Sequence, residues 1–408
     1  MTQLEFRDVV KIYPFVDVKK HFFDRKKARK MLESQKRMPY TTSEGVVAVQ
    51  QYSLSVEEGE FVVLYGPSGC GKSTVLRMIA GLEDVTAGEL LIDGENQEGV
   101  LPEFRDLSMV FQEYSLYPHF TVEQNIAFPL RNLHIPREEV ERRTELMIRL
   151  LELQKVRREK PATLSGGEMQ RTAIGRALIK RPKIFLMDEP FSNLDAPLRM
   201  KLRVMIKRIH QELGSTFIYV THDMQEAMSL ATKLVVMRDG MIVQAGAPAD
   251  IYRNPADTDA ASMIGFPEIN LFRDACVLRD EKGCILRLLG KEYPCPQFPP
   301  SVPAGPVIAG IRPVHLEFFG DPGSERDERI LCTVLLREIV GKETHFVLQT
   351  TDGAGKDQEI RAVLKAEEDG VPRLPGQEVW IRPRTSEIFL FDAETEERIG
   401  LAEEKIPV

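Results

Sequence analysis

The sequence predicts an α/β domain built on a parallel sheet, followed by an all-β domain, and three observations carry this expectation. Short apolar runs alternate with helical patterns through the first 245 residues, as in a sheet whose strands are covered on both faces. From about residue 113 to 163 the strand pattern disappears and helical periodicity takes over, which predicts a helical subdomain within the α/β unit. Beyond about Ala245 the texture becomes brief β-rich runs between turn signals. The expected domains are therefore 1–245 and 246–408.

The first strand is FVVLY at residues 61–65, and VLRMIAGL after residue 74 reads as the following helix. In the helical subdomain Pro136 opens a helix in which Val140, Thr144, Met147 and Leu151 share a face. IFLM at 184–187, FIYV at 217–220 and LVVM at 234–237 are further buried strands. Asp239-Gly240 then leads into MIVQAG, a hairpin with a two-residue turn. In the second domain the runs are CILRLLG, PVIAGIRP, CTVLLREIV, THFVLQTTDG, EIRAVL and VWIRP. Ile311-Arg312-Pro313 running into HLEFF is echoed by Ile381-Arg382-Pro383 running into EIFLF. That echo predicts two related β-modules in a small barrel-like domain.

Composition excludes several classes. The chain has 54 basic and 62 acidic residues, a net charge of −8, which disfavours a nucleic-acid binder. Its 43% apolar content is enough to bury real cores. Glu5, Arg7 and Asp8 break the apolar core that a signal peptide needs, and no run approaches the roughly 18 apolar residues of a membrane span. Five cysteines, an odd number without a CxxC pair, indicate free thiols in a reducing compartment. The expectation is a cytosolic chain that meets a membrane only through partners.

The strongest chemical signal is Gly66-Pro67-Ser68-Gly69-Cys70-Gly71-Lys72-Ser73-Thr74, set between a strand and a helix. Glycines let the backbone wrap phosphate oxygens, and the helix start aims N–H groups at them. Lys72 would neutralise the outer phosphates of a nucleoside triphosphate and Ser73 would hold Mg²⁺. The second signal is the strand ending Met187-Asp188-Glu189-Pro190. Asp188 at the carboxyl edge of a sheet suits Mg²⁺, and Glu189, pointing differently, suits an attacking water.

The third signal is Leu164-Ser165-Gly166-Gly167-Glu168-Met169-Gln170-Arg171 at the head of an amphipathic helix. Ser165 and Glu168 alone match a capping box. Gly166-Gly167 are not needed for a cap, but would let a polyanion approach the helix start. A second anion site in a chain with one triphosphate loop predicts that it serves a nucleotide held by another copy, in a dimer with shared sites.

Together these residues resemble the ATPase subunit of an ABC transporter. The resemblance identifies Gly66–Thr74 as the Walker A loop, Leu164–Arg171 as the signature and Ile184–Glu189 as Walker B. It implies that Gln112, in the Q-loop, touches Mg²⁺ and water and relays to the membrane partner. Ser192-Asn193-Leu194-Asp195 would be the D-loop, and His222, in Thr221-His222-Asp223, the switch residue that contacts the γ-phosphate. Tyr13 resembles the aromatic that stacks on adenine, with Tyr40 and Tyr52 as alternatives. The fold implied is a P-loop NTPase cassette at 1–245 with a C-terminal OB-like regulatory domain at 246–408.

The resemblance further implies ATP and Mg²⁺ as cofactors and a homodimer or heterodimer of ATPase subunits. It implies transmembrane permease partners, an extracytoplasmic solute-binding protein met indirectly, no nucleic acid, and a peripheral location on the cytoplasmic face. The second domain resembles that of importer ATPases for carbohydrates, with polyamine, ferric iron and glycerol phosphate as alternative cargoes and a non-transport ATPase as the remaining class. Outside the resemblance lies an insert at about 15–44 with nine Lys or Arg against four acids, net +5. It reads as a solvated surface or as a contact to anionic lipid or a permease loop. Cys70 reads as a tolerated small residue, or as an alkylation-sensitive thiol if the helix start lowers its pKa.

Overall fold

A computed structural model describes residues 2–16, 32, 40–192, 194–280, 283–320, 328–351, 357–365 and 373–400. Most of the basic insert, residues 17–31 and 33–39, and Asn193 lie outside the described residues. The chain divides into two compact units, Met1–Pro248 and Ala249–Val408. Among the described residues no helix is long and apolar enough to cross a membrane.

The first unit is organised by a six-stranded sheet. Its strands β3 (Phe61–Tyr65), β6 (Leu107–Val110), β7 (Ile184–Asp188), β8 (Thr216–Thr221) and β9 (Lys233–Arg238) are parallel, and β10 (Met241–Gly246) closes it as an antiparallel edge. The apolar runs become strands because both sheet faces are covered: β7 and β8 are buried at every position. Asp239-Gly240 forms the β9–β10 turn, with both residues at positive φ.

A second, antiparallel sheet has the order β2-β1-β4-β5, from β1 (Thr2–Pro14), β2 (Gly45–Glu57), β4 (Ala87–Ile92) and β5 (Glu95–Asn96). Sequence reasoning did not assign these strands. Several register shifts interrupt β1 against β2, so β1 carries no clean alternation over its length. Leu4, Phe6 and Val9 still reach the core shared with β3 and with α1 (Lys72–Ala80).

Helices α2 (Val122–Asn132) and α3 (Arg137–Leu150) occupy the strand-free stretch. Thr121 and Gln124 form a reciprocal capping box on α2. Pro136 stands at the N-cap of α3, and Val140, Thr144, Met147 and Leu151 are buried. Helix α4 (Gly166–Leu178) packs against α2, bringing Gly175 against Ile126 and Leu151.

The remaining helices of this unit are α5 (Ala196–Leu213) and α6 (Met224–Leu230), and α7 (Pro248–Arg253) begins at the boundary. The second unit takes in most of α7, then α8 (Thr258–Met263), and its strands form two antiparallel sheets. One antiparallel sheet contains β11 (Asn270–Asp280), β12 (Gly283–Leu288), β13 (Lys291–Pro294), β14 (Gly305–Ile311), β20 (Phe389–Asp392) and β21 (Arg398–Ile399). The other contains β15 (Leu316–Phe319), β16 (Ile330–Val340), β17 (Glu343–Thr351), β18 (Asp357–Lys365) and β19 (Glu378–Pro383). Residues from both sheets form one core.

The sequence echo has a structural meaning. Each copy is a strand, a 3₁₀ turn and a strand that moves to the other sheet: β14 to β15, and β19 to β20. The copies pair with each other twice, β14 with β20 and β15 with β19, both antiparallel. Their arginines differ. Arg312 is 2% exposed and donates to the carbonyls of Ile264 and Tyr252, both at 2.6 Å, whereas Arg382 meets Glu317 at 3.2 Å nearer the surface.

Helix α1 is anchored at its far end by Arg105. Its Nη1 donates to the carbonyls of Met78 at 2.7 Å and Ile79 at 2.8 Å, and Nη2 donates to Gln97 O at 2.9 Å. A cation against orphan carbonyls at a helix C-terminus both satisfies them and complements the dipole. Arg105→Met should cost the first unit about 2 kcal/mol, because buried carbonyls lose their donor. In urea, helical circular dichroism should melt earlier while Trp380, the one tryptophan and part of β19, reports an unchanged second unit. An unmoved helical transition would show that Arg105 is not the anchor.

Candidate active site

Parallel strands end at one sheet edge, and β3, β8, β7 and β6 stand side by side in that order. Their carboxyl ends release neighbouring loops: residues 66–71 after β3, 222–223 after β8, 189–190 after β7 and 111–113 after β6. The register pairs Asp188 with Val220 and Tyr65 with Thr221, so Glu189, His222 and Gly66 each lie one residue past the edge. Topology alone thus collects residues spread over more than 150 positions.

The glycine-rich loop turns tightly into α1. Gly71 has φ 101°, and a Cβ there would lie 2.5 Å from the Ala48 carbonyl oxygen, so conformation and space both require glycine. Pro67, Ser68 and Gly69 form the exposed tip. Lys72 is buried at the first position of α1, and its Nζ donates to the carbonyls of Gly66 and Pro67, both at 2.8 Å. Ser73 and Thr74 follow on the first turn of α1, half-buried.

Cys70 corrects one of the two readings given above. Its thiol is buried, and burial pushes its pKa up despite the opposing pull of Lys72. Desolvation outweighs the helix start, so the residue is a small packed side chain rather than a reactive one.

Ser73 Oγ donates to Asp188 Oδ1 at 2.8 Å, joining the phosphate loop to the end of β7. Burial raises the Asp188 pKa, the Ser73 hydrogen bond opposes this, and the neighbouring Glu189 charge adds to the rise. A desolvated carboxylate beside a hydroxyl is an all-oxygen donor pair of the kind a hard divalent cation takes. Among the described residues no cluster of three His, Cys, Asp or Glu could hold a metal. The Ser73 hydroxyl and Asp188 carboxylate would suit Mg²⁺ as two hard oxygen donors.

Glu189 adopts φ 43°, the left-handed region that costs a non-glycine residue about 1 kcal/mol. Its N–H donates to Val220 O at 3.1 Å, and its carbonyl accepts from Ser192 N at 3.3 Å and Ser192 Oγ at 3.1 Å. The backbone is thereby fixed so that the carboxylate leaves the line of β7. Glu189 Oε2 lies 3.2 Å from His222 Nδ1, joining two residues that are 33 positions apart.

The other expected residues are placed as follows. Gln112 is exposed two residues past β6, beside the end of β7. The segment after it is held by α4: Arg176 Nη1 donates to Ser115 O at 2.8 Å, and its guanidinium stacks on Tyr117 at 5.3 Å. Ser165 is the exposed N-cap of α4, and its Oγ and N–H both donate to Glu168 Oε2, at 2.7 and 2.8 Å. The capping box is therefore formed. Gly166 faces the Tyr114 hydroxyl, and a Cβ on Gly167 would lie 2.5 Å from Leu198 Cδ2.

Gly167 thus has a packing reason that the sequence did not reveal. Asp195 caps α5, accepting from Leu198 N at 2.9 Å. Tyr13, the penultimate residue of β1, is half-buried, with the Lys11 ammonium 4.9 Å from its ring centre. Tyr52 is 0% exposed against Phe6, so it has no face for a ligand.

Sequence reasoning passed over Arg199 and Glu226, which pack around the histidine loop. Glu226 spaced three residues after Asp223 is an ordinary first-turn acid, and only the fold brings Arg199 to Asp223, at 3.2 Å.

Two tests follow from this geometry. Gly167→Ala should destabilise the first unit by about 1 kcal/mol through overpacking, and Leu198→Ala in the same chain should remove that cost. Additive losses in thermal unfolding would contradict the contact. Cys70 should resist N-ethylmaleimide at pH 7 in the native chain and react after unfolding; rapid native labelling, located by mass spectrometry, would contradict its burial.

Comparison with known proteins shows which family the chain belongs to. A family model described as ABC transporter matches residues 49–192. The lactose transport ATP-binding protein LacK of Rhizobium radiobacter is 41% identical over 350 residues, covering 85% of this chain and 93% of LacK. The sn-glycerol-3-phosphate import ATP-binding protein UgpC of Rhizobium meliloti is 45% identical over 300 residues, covering 74% of this chain and 82% of UgpC. Among solved structures, cbiO1 from Clostridium perfringens, part of the ABC transporter complex cbiONQ, superposes with a TM-score of 0.51 at 22% identity. That match covers 62% of this chain and 91% of cbiO1 and speaks to the fold. Over nearly the full length of LacK the similarity is far above what a shared fold alone produces, and the chain belongs to the ABC transporter family as an ATP-binding subunit.

Proposed function

We propose that the chain is the ATP-hydrolysing subunit of an ABC importer, working on the cytoplasmic face of a membrane with permease subunits and, through them, a solute-binding protein. The observation that carries this reading is the Glu189–His222 pair at 3.2 Å, on the edge where Ser73 and Asp188 meet at 2.8 Å. Residues 1–245 are the ATPase cassette, with a helical subdomain at about 113–163, and residues 246–408 an OB-like regulatory domain.

In this reading the amides of residues 66–74 and Lys72 hold the phosphates, and Tyr13 offers its ring to adenine. Ser73, Gln112 and Asp188 would hold Mg²⁺, which would neutralise phosphate charge. Glu189 accepts a proton from the attacking water, and His222, hydrogen-bonded beside it, contacts the γ-phosphate. Ser165, Gly166, Gly167 and Asp195 act across a dimer on the nucleotide of a second ATPase subunit, the same chain or a related one. Ser165 can both cap α4 and meet a polyanion, because the helix start it closes also points N–H groups outward.

The cargo we favour is a carbohydrate, supported by LacK; UgpC supports glycerol phosphate as the second reading. Replacing Glu189 with Gln keeps size and removes the base, so kcat should fall at least about a hundredfold while ATP still binds. Unchanged turnover would refute the role. In cells lacking the chain, uptake of a labelled disaccharide should be lost and restored by the wild type but not by the Gln variant. Loss of glycerol phosphate uptake alone would select the second reading.

A further inference from the structure

His222 is exposed and has neighbours in sequence that are not free to move. On one side, Thr221 Oγ1 donates to Glu226 Oε2 at 2.8 Å and accepts from Asp223 N at 2.9 Å. Tyr219 OH donates to the same Glu226 oxygen at 2.8 Å, and Glu226 is 3% exposed. On the other side, Asp223 Oδ1 accepts from Gln225 N at 2.8 Å and Glu226 N at 3.2 Å, capping α6. Its second oxygen accepts from Arg199 Nη1 at 3.2 Å.

Arg199 lies in the first turn of α5, the turn that Asp195 caps and that sets Leu198 against Gly167. One turn of helix therefore touches the head of α4 through Leu198 and the histidine loop through Arg199. A half-buried ion pair in which the aspartate oxygens are divided between a helix cap and a guanidinium fixes orientation more than it adds attraction.

From this geometry we infer that Arg199, through Asp223, is a positioning residue for His222, holding the imidazole against Glu189. The inference rests on the catalytic reading of His222 and Glu189 given above. Arg199 and Asp223 act through the loop that carries the histidine. Glu226 is the buried peg that keeps the other end of the loop still, so motion at Asp223 becomes rotation at His222. A displacement of this kind costs turnover rather than binding, because ATP is held by the loop after β3.

The test uses the full chain and its steady-state ATPase activity. Arg199→Met and Asp223→Asn, the latter still able to cap α6, should each lower kcat by roughly tenfold with KM for ATP within about twofold. The double variant should fall no further than either single, and Arg199→Lys should keep most of kcat. Wild-type kcat in Arg199→Met, multiplicative losses in the double variant, or a Lys variant as slow as the Met variant would each overturn the inference. His222→Ala is the control: if it keeps wild-type turnover the catalytic reading fails first. If it is slow while Arg199→Met is fast, only the positioning role fails. Should Arg199→Met not fold, Asp223→Asn against Arg199→Lys decides the same question.

Discussion

The parallel registry of β3, β8, β7 and β6 is the constraint on which the remainder of the first unit depends. A strand buried on both faces has no place for a charged side chain, so polar chemistry is expelled to the strand ends. Because the strands run the same way, those ends coincide. Val62, Leu64, Ile184, Leu186, Ile218 and Val220 share one core, and the residue after each strand emerges at one edge. Lys72, Ser73, Asp188, Glu189 and His222 are near one another for this reason, not because of sequence proximity.

Several side chains serve local structure and, in the proposed function, chemistry as well. Ser165 and Asp195 are N-caps, and Glu189 ends a strand through a left-handed residue pinned by Ser192 and Val220. A cap fixes the direction of the first N–H groups of a helix, which is also what an anion requires. The same economy explains Arg105, whose fork closes the far end of α1 while the near end carries Lys72 and Ser73. Hydrogen bonds thus hold both ends of α1, from Lys72 and Ser73 at its start and from Arg105 at its end.

The second unit follows a different rule. Two antiparallel sheets share a core because two strand–turn–strand segments change sheets and pair with one another. Asn270 ties this crossing together, donating to the carbonyls of Ile311 and Arg361 and accepting from Arg361 N at 2.8 Å. The repeated Ile-Arg-Pro marks the point where each segment leaves its sheet, proline ending the ladder because it has no N–H to donate.

Much of this was legible in the chain. The buried strands of the first unit announced themselves as continuous apolar runs, and the phosphate loop by glycine spacing between strand and helix. The helix after Pro136 was readable from its periodicity. Strands β1, β2 and β4 were not, because bulges and charged positions such as Arg7 and Asp8 interrupt their alternation and their pairing is long-range. What composition and spacing determined by themselves was the chemistry available: a triphosphate loop, a strand-end carboxylate pair and a glycine-headed helix. Only the tertiary structure decided which residues meet. It buried Cys70 and Tyr52, set Gly167 against Leu198, and joined Arg199 to Asp223 beside His222. Periodicity reports the environment of one element at a time, whereas these contacts depend on the registry between elements far apart in the chain.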